Sequence, residues 1–482
     1  MTQLRPALFV PVVRALSSIR ITKRSRYTAL KATRPPMSSM LEDSMSRPIR
    51  ARWRAVAAVA IAAIGISACS SSKSSSASDD PNAKVTLTVG LFGTFGFKEA
   101  GLYDQYMKLH PNVTIKEDDV EQSADYWTRL KTRLASGSGL DDVQGIEIGF
   151  VSDVVQNHAN QFVDFASLPE GNTLKSSFYD WKWKQASTAD GKTLGLGTDT
   201  GPEAICYRPD LLKQAGLPSD GTTLATKWDN WDDYIAFGQQ YEASATKPKG
   251  SSFVDSAGSI FSTAVYQGSE AYNNSDGKPD VANSDGVKNA WKYSTEAAQD
   301  KITAGLQQFS PAWNKAFSSG AFATIACPTW MMGYIQSQAG DTNTGKWSVA
   351  PVLPGGATNW GGSWLGVPTA SKHQKAAEQL VEWLTNKEQE VTMWTQGGHW
   401  PSNSQAAADP SVKGATSAYF SNAPVGQIYG DIADKMKIPT IGLYDSQIQQ
   451  AFTTQLTNVE TKGTDPNKAY SDAMSAIKQV TG

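Results

Sequence analysis

The sequence predicts an α/β protein built as two lobes, and three observations predict it. About 400 residues follow a short apolar segment near the amino terminus, more than one hydrophobic core usually supports. From Lys84 onward, period-two stretches alternate with helical ones, the pattern of a largely parallel sheet covered by helices. Glycine-rich loops separate these elements, and no segment repeats internally.

The chain does not begin with the fold. Residues 1–44 carry eight basic residues against Glu42 and Asp43, with scattered prolines and no sustained period, and Met45 is read as an alternative start. Next come four arginines (Arg47, Arg50, Arg52, Arg54), twelve apolar or small residues from Ala55 to Ile66, then Ser67, Ala68, Cys69 and a serine-rich tract. Charged, apolar and cleavage regions in that order make a secretory signal. Its apolar run is too short to cross roughly 30 Å of hydrocarbon at about 1.5 Å per residue. Residues 1–68 are therefore expected to be an extension and a removable signal, and residues 69–83 a flexible tether. Without residues 1–68 the chain holds 32 basic and 44 acidic residues, a net charge of −12. That balance, with no basic stripe, argues against nucleic acid or an anionic membrane surface as a partner.

The folded part opens with a strand over Lys84–Phe92, an amphipathic helix over Phe97–Leu109 stopped by Pro111, and a strand over Val113–Val120. A helix over Tyr126–Ala135 and a strand over Val143–Ile148 complete one lobe's start. Later strands are expected at Ala204–Tyr207 and Phe322–Cys327. Helices are expected at Val287–Ile302, Ala376–Trp394, Tyr444–Val459 and Ala469–Val480.

The catalytic and metal motifs searched for are missing. His110, His158, His373 and His399 are not at ligand spacing to one another or to a cysteine, so no metal and no cofactor is expected. The stretch Gly361–Leu365 lacks the last glycine of a nucleophile elbow, and Gly195–Gly201 is mis-spaced for a dinucleotide loop. Carboxylates such as Glu121, Glu147, Asp199 and Glu203 leave a glycosidase pair open, which makes a secreted carbohydrate-active hydrolase the alternative reading. Cys206 and Cys327 both fall in buried strands, and their spacing alone allows either a bridge or two separate thiols.

What stands out is fifteen tryptophans and four polar, glycine-flanked loops: Gly93–Phe97, Gly197–Gly201, Pro328–Trp330 and Asn359–Trp364. Ligands of open α/β sheets sit beyond the carboxyl ends of strands, where three of these loops are expected. Glycines let backbone amides approach a ligand, and an indole ring covers the C–H face of a sugar while Asp, Glu and Asn hold its hydroxyls. Core packing would account for any one tryptophan alone.

Taken together, these residues resemble the extracellular solute-binding proteins of carbohydrate ABC importers, family 1, of the maltose-binding type. The tract around Cys69 resembles a lipobox, and FATIACPTW (322–330) is similar to the strand that leads to a sugar-stacking tryptophan in that family. GTFGFKEAGLYDQY, DVQGIE, DWKWKQA, GLGTDTGPEAICYRPDLL, PAWN, CPTWMMGYIQ and NWGGSW resemble the cellobiose and cello-oligosaccharide-binding lipoproteins, and the likeness covers residues 84–482. The resemblance implies a type II periplasmic-binding-protein-like fold with discontinuous lobes, 84–200 with 360–425 and 201–359 with 426–482. Its hinge crossings would lie near 199–202, near 360 and around 420–440. It implies a non-enzymatic, lipid-anchored monomer on the outer face of the cell membrane, held through Cys69. Such a receptor would pass an oligosaccharide to an ABC permease driven by a cytoplasmic ATPase. Carried over by position, the ligand-binding residues would be Thr94, Phe95, Glu147, Asp199, Trp330, Trp360, Gly361, Gly362, Trp364 and Tyr444. The same threading sets the strands of Cys206 and Cys327 side by side, which implies a disulfide.

Overall fold

The computed structural model describes residues 84–93 and 95–482; Thr94, Cys69 and the tether lie outside the described residues. The strands in chain order are β1 (Val85–Phe92), β2 (Val113–Val120), β3 (Val143–Glu147), β4 (Leu196–Gly197), β5 (Glu203–Tyr207), β6 (Ser252–Val254), β7 (Phe322–Pro328), β8 (Ser348–Ala350) and β9 (Ser363–Gly366). They form two sheets, ordered β2-β1-β3-β9-β4 and β6-β7-β5-β8, each packed with its own helices. The molecule is thus a two-lobed, mixed α/β protein.

The expected parallel sheet holds only in part. β2, β1 and β3 are parallel, as are β6 and β7, whereas β9 runs antiparallel to β3 and β4, and β5 antiparallel to β7 and β8. Connectivity explains the reversal. The chain leaves the first sheet after β4, builds the second, and re-enters at Ser363, opposite Glu147 where β3 ends, so β9 must run the other way. β1 buries alternate residues Leu87, Val89 and Leu91, while every residue of β5, β7 and β9 is buried, as strands covered on both faces require. The edge strand β2 carries Glu117, Asp118 and Asp119, charges that oppose pairing with a second chain.

Helix boundaries follow local chemistry. The helix expected from Phe97 starts at Leu102, after Gly101 turns the chain at φ 68°. The helix Ser123–Ser136 buries Tyr126, Trp127, Leu130 and Leu134 at helical spacing and stops at Gly137 in the left-handed region. The single helix expected over Ala376–Trp394 is two, Gln374–Leu384 and Lys387–Gly397. Its break is built by Thr385, whose hydroxyl donates back to the Val381 carbonyl (2.8 Å), and by Asn386, whose side chain accepts from the Gln389 N–H (3.2 Å).

One core of the second sheet gathers Trp228, Tyr234, Phe253 and Phe452 on one face, and another gathers Trp313, Phe317, Trp347 and Tyr429. The second also takes in Trp394, Trp400, Tyr419 and Phe420, from a stretch expected in the amino-terminal lobe, while Asn403 and Ser404 bond to Phe178 and Ser177 of the first lobe. Cys206 and Cys327 form a disulfide between β5 and β7, across a diagonal of the ladder in which Cys206 faces Ile325 and Cys327 faces Ala204.

Four segments meet between the sheets. Gly201 N–H donates to Asn359 Oδ1 (2.8 Å), and Trp360 N–H donates to the Gly201 carbonyl (2.8 Å). Thr200 N–H donates to the Trp400 carbonyl (2.8 Å), and Thr329 Oγ1 donates to the Thr200 carbonyl (3.1 Å). A further stretch of chain thus joins this hinge at Trp400. A Cβ on Gly201 would collide with the Trp360 carbonyl oxygen, a rigid backbone group. Gly201→Ala is expected to destabilise the fold by about 3 kcal/mol, measured by urea unfolding against wild type; an unchanged midpoint would refute the close approach.

Candidate functional site

Glu147 ends β3 at the hinge, where the strand turns into the helix Ile148–Asn157, and its carboxylate caps that helix by accepting from Gly149 N–H (2.9 Å). The register sets Glu147 opposite Ser363 of β9, and Ser363 in turn accepts from Thr198 N–H (2.9 Å). Ser363 N–H donates to Asp199 Oδ1 (2.9 Å), which also accepts from the Thr198 hydroxyl (2.9 Å). Two carboxylates from separate segments thus flank one hinge residue. Glu147 keeps some accessible surface although protein surrounds it, as at the floor of a cleft. Burial pushes its carboxyl up to about 7, against the pull of Lys182.

Gly361 and Gly362 have φ of 104° and 109°, open to glycine alone, and both lie against large side chains. A Cβ on Gly361 would meet Trp330 Nε1 at 2.7 Å, and one on Gly362 would meet Lys182 Nζ at 2.7 Å. Trp330 opens the helix Thr329–Ala339 directly beyond β7 and is half-buried. Its Nε1 donates to the Trp360 carbonyl (3.1 Å), and its ring meets the half-buried Trp360 ring edge-on with centroids 5.5 Å apart. One edge of the indole is therefore fixed to the hinge.

Other expected residues sit elsewhere. Trp364 is fully buried in the core behind β9, with Lys182 Nζ 3.3 Å from its ring centre, because inward and outward positions of a fully covered strand look alike in sequence. Phe95 is 9% exposed and packs between Phe92 and Phe97. Both rings are walls of the lobe rather than open surfaces. Tyr444 is half-buried at the start of the helix Asp445–Lys462, against the second lobe's core. Close by, Ser446 Oγ donates to the Gly149 carbonyl (3.1 Å), and Ile441 packs on the first lobe's core, so the two lobes also touch at this rim.

Sequence reasoning passed over several groups. Lys182 is 1% exposed, with no hydrogen-bond acceptor in the described residues, and burial pulls its ammonium down to about 7 against the opposing charges of Asp199, Glu390 and Glu147. Glu390 accepts from Ser402 Oγ (2.8 Å) and Asn403 N–H (2.7 Å), and burial holds its carboxyl well above the usual range. Burial pulls His399 down, against the charge of Asp199. The Tyr266 phenol is raised by burial first and further by the charges of Asp445, Glu147 and Glu203. A lysine between tryptophans or a tyrosine after an apolar helix has no spacing signature, and only the fold brings these together. A pocket of about 510 Å³ bounded by Gly221, Val349, Leu353, Ile428 and Lys435 contains none of these residues.

An indole ring and carboxylates brought to one hinge suit a neutral, hydroxyl-bearing molecule. The profile of a family described as bacterial extracellular solute-binding protein matches residues 101–419. The chain belongs to that family. A crystal structure of an extracellular solute-binding protein of family 1 superposes with a TM-score of 0.71 at 36% identity, covering 83% of this chain and all of the other. The lactose-binding protein of Rhizobium radiobacter is 26% identical to this solute-binding protein over 313 residues, 63% of this chain and 68% of the relative. An arabinooligosaccharide-binding protein of Bacillus subtilis (strain 168) is 25% identical over 306 residues, 60% and 68% of the two chains. The ABC-transporter-associated binding protein of B. animalis subsp. lactis Bl-04, solved with beta-1,6-galactobiose, shares the fold (TM-score 0.70, 20% identity, 83% of this chain and 97% of the other). The curated relatives named here are binding proteins rather than enzymes.

Proposed function

We propose that this solute-binding protein is a lipid-anchored receptor on the outer face of the membrane that captures an oligosaccharide, cellobiose or a longer cello-oligosaccharide, for an ABC permease with a cytoplasmic ATPase. The observation that carries the reading is Trp330, a half-buried indole pinned to Trp360, three residues before Ser363, which lies opposite Glu147 and donates to Asp199. Relatives named for lactose and arabino-oligosaccharides support a sugar as the ligand class. The likeness of the quoted motifs to cello-oligosaccharide receptors supports the finer choice. Function then lies in preferential binding to the closed lobes. A hydrolase would shorten its substrate. Incubation with cello-oligosaccharides must return them intact, and a thermal-shift panel of cellobiose, cellotriose, lactose and arabinobiose identifies the ligand. A sugar at 100 times its dissociation constant adds about 2.7 kcal/mol to stability. A panel without any shift would refute the receptor reading.

Two results are expected alongside. A sugar hydroxyl donates more strongly to a carboxylate than to a carboxylic acid, so binding favours ionised Glu147 and releases its proton. Affinity should then rise about fivefold as pH passes upward through about 7, read by calorimetry. Glu147→Gln should flatten that rise, leaving only the slope contributed by neighbouring groups such as Lys182, which changes charge in the same range. Cys69→Ala should release the protein from the membrane fraction or leave an uncleaved precursor. Equal retention would refute lipid anchoring.

A further inference from the structure

Lys182 belongs to the helix Asp180–Gln185, yet its side chain is enclosed by hinge backbone instead of reaching solvent. Gly197, which ends β4, lies along its stem: a Cβ there would stand 3.0 Å from both Lys182 Cγ and Lys182 Cε. Gly362 lies at its tip, where a Cβ would meet Nζ at 2.7 Å and the Asp199 carbonyl oxygen at 2.9 Å. On the remaining side Nζ rests 3.3 Å from the centre of the Trp364 ring, and Trp364 Nε1 donates to the Lys182 carbonyl (3.2 Å). The missing side chains at 197 and 362 are what let an amine reach this spot. It has no acceptor among the described residues. A ring face offsets part of the cost of enclosing a cation, not all of it.

The residues that Gly362 joins supply a reason for the charge. Its carbonyl accepts from Ile148 N–H (3.1 Å), directly after Glu147, and the next residue, Ser363, lies opposite Glu147 and donates to Asp199 Oδ1 (2.9 Å). The charged groups facing Lys182 are all acids: Asp199 from the stretch after β4, Glu390 from the helix Lys387–Gly397 and Glu147 from β3. His399 faces the same Asp199, and the Tyr266 phenol faces Glu147. Glu390 and Asp199 are buried and each already accepts two hydrogen bonds from the protein. Glu147 keeps accessible surface, so it is the acid open to a ligand.

We propose that Lys182 is a positioning residue of the ligand site, its enclosed ammonium holding the Glu147 carboxyl in the charged form that a ligand hydroxyl binds best. It acts across the Gly362 turn and touches no ligand itself. This rests on the sugar-receptor reading and deepens it: a neutral sugar meets a carboxylate whose charge is supported from behind the hinge.

The test is Lys182→Met and Lys182→Arg, with Lys182→Met also made in Glu147→Gln protein. Calorimetry across about pH 6–9 uses whichever of cellobiose, cellotriose and lactose wild type binds, and thermal melting of the sugar-free proteins covers the same range. Without the opposite charge Glu147 is harder to ionise, so Lys182→Met should move the midpoint of the rise in affinity up by about one pH unit, an about twofold loss at pH 7 that closes by about pH 9. Lys182→Arg keeps the charge and should keep the midpoint, whatever it does to melting. In Glu147→Gln protein, Lys182→Met should cost no further affinity at pH 7. Burial pulls the ammonium from 10.5 down to about 7, so its cost to the fold is full below about 7 and is relieved as pH rises from there. The melting temperature of Lys182→Met should therefore exceed that of wild type most below pH 7, and the gap should shrink above it. A structural role alone would change melting equally at every pH and leave the midpoint in place, which refutes the proposal while the receptor reading stands. An equal loss in Glu147→Gln protein would refute an action through Glu147, and a Lys182→Met protein that does not fold would make the amine a structural requirement and overturn the proposal too. If wild type binds none of the three sugars, both fall.

Discussion

Replacing Cys206 and Cys327 together by alanine is expected to lower the melting temperature by roughly 5 °C for a folded body of about 400 residues. The bridge spans a sequence separation of 121 residues. Closing a loop of that length restricts the unfolded chain by about 5 kcal/mol in the entropic model. Both sulfurs lie in strands without exposed residues, so the substitutions leave the surface unchanged. Chemical unfolding of oxidised, reduced and double-alanine protein separates the terms, since the reduced wild type should fall most of the way to the variant. Two alkylatable thiols in protein never exposed to reductant would refute the bridge.

Trp330→Ala has the largest effect expected on binding. Trp330 is not among the fully buried tryptophans, and its neighbours Trp360 and Phe309 are themselves only half-buried, so its removal should leave the apo fold intact. Sugar affinity should fall by about 2 kcal/mol, or roughly thirtyfold, from the stacking and the apolar area no longer covered. Melting and calorimetry on one sample decide between roles. Unchanged affinity with a normal melt would refute the platform, and a collapsed melt would make Trp330 a core residue whose loss costs about 3–5 kcal/mol.

The sequence carried the parts of this fold that local periodicity controls. β1, β2 and the helix at Ser123–Ser136 were legible because one face of each is wet, so alternation shows. β9 was not: Ser363–Gly366 follows two glycines and is buried on both sides, and it reads as loop. The same burial made Trp364 look like a ligand-facing ring when it is a core one. Of the expected site, Glu147, Asp199, Trp330, Trp360, Gly361 and Gly362 do converge at the hinge, while Phe95 is packed into its lobe. The tryptophan excess is largely core filling, as Trp228, Trp313, Trp347 and Trp400 show. Lys182 and Tyr266 were illegible because their meaning comes from residues far away in sequence, brought near only by the crossings.

Those crossings have a mechanical consequence. Gly201 bonds to Asn359 and Trp360, and Thr200 to Trp400 and Thr329, so these segments hold one another rather than one lobe alone. A rotation of the lobes can then turn about this bundle as about an axle, with none of its bonds broken. What must be given up on opening is at the rim, where Ser446 reaches Gly149 and Ile441 rests on the opposite core. A ligand that binds the closed lobes better than the open ones then decides between them by its differential affinity.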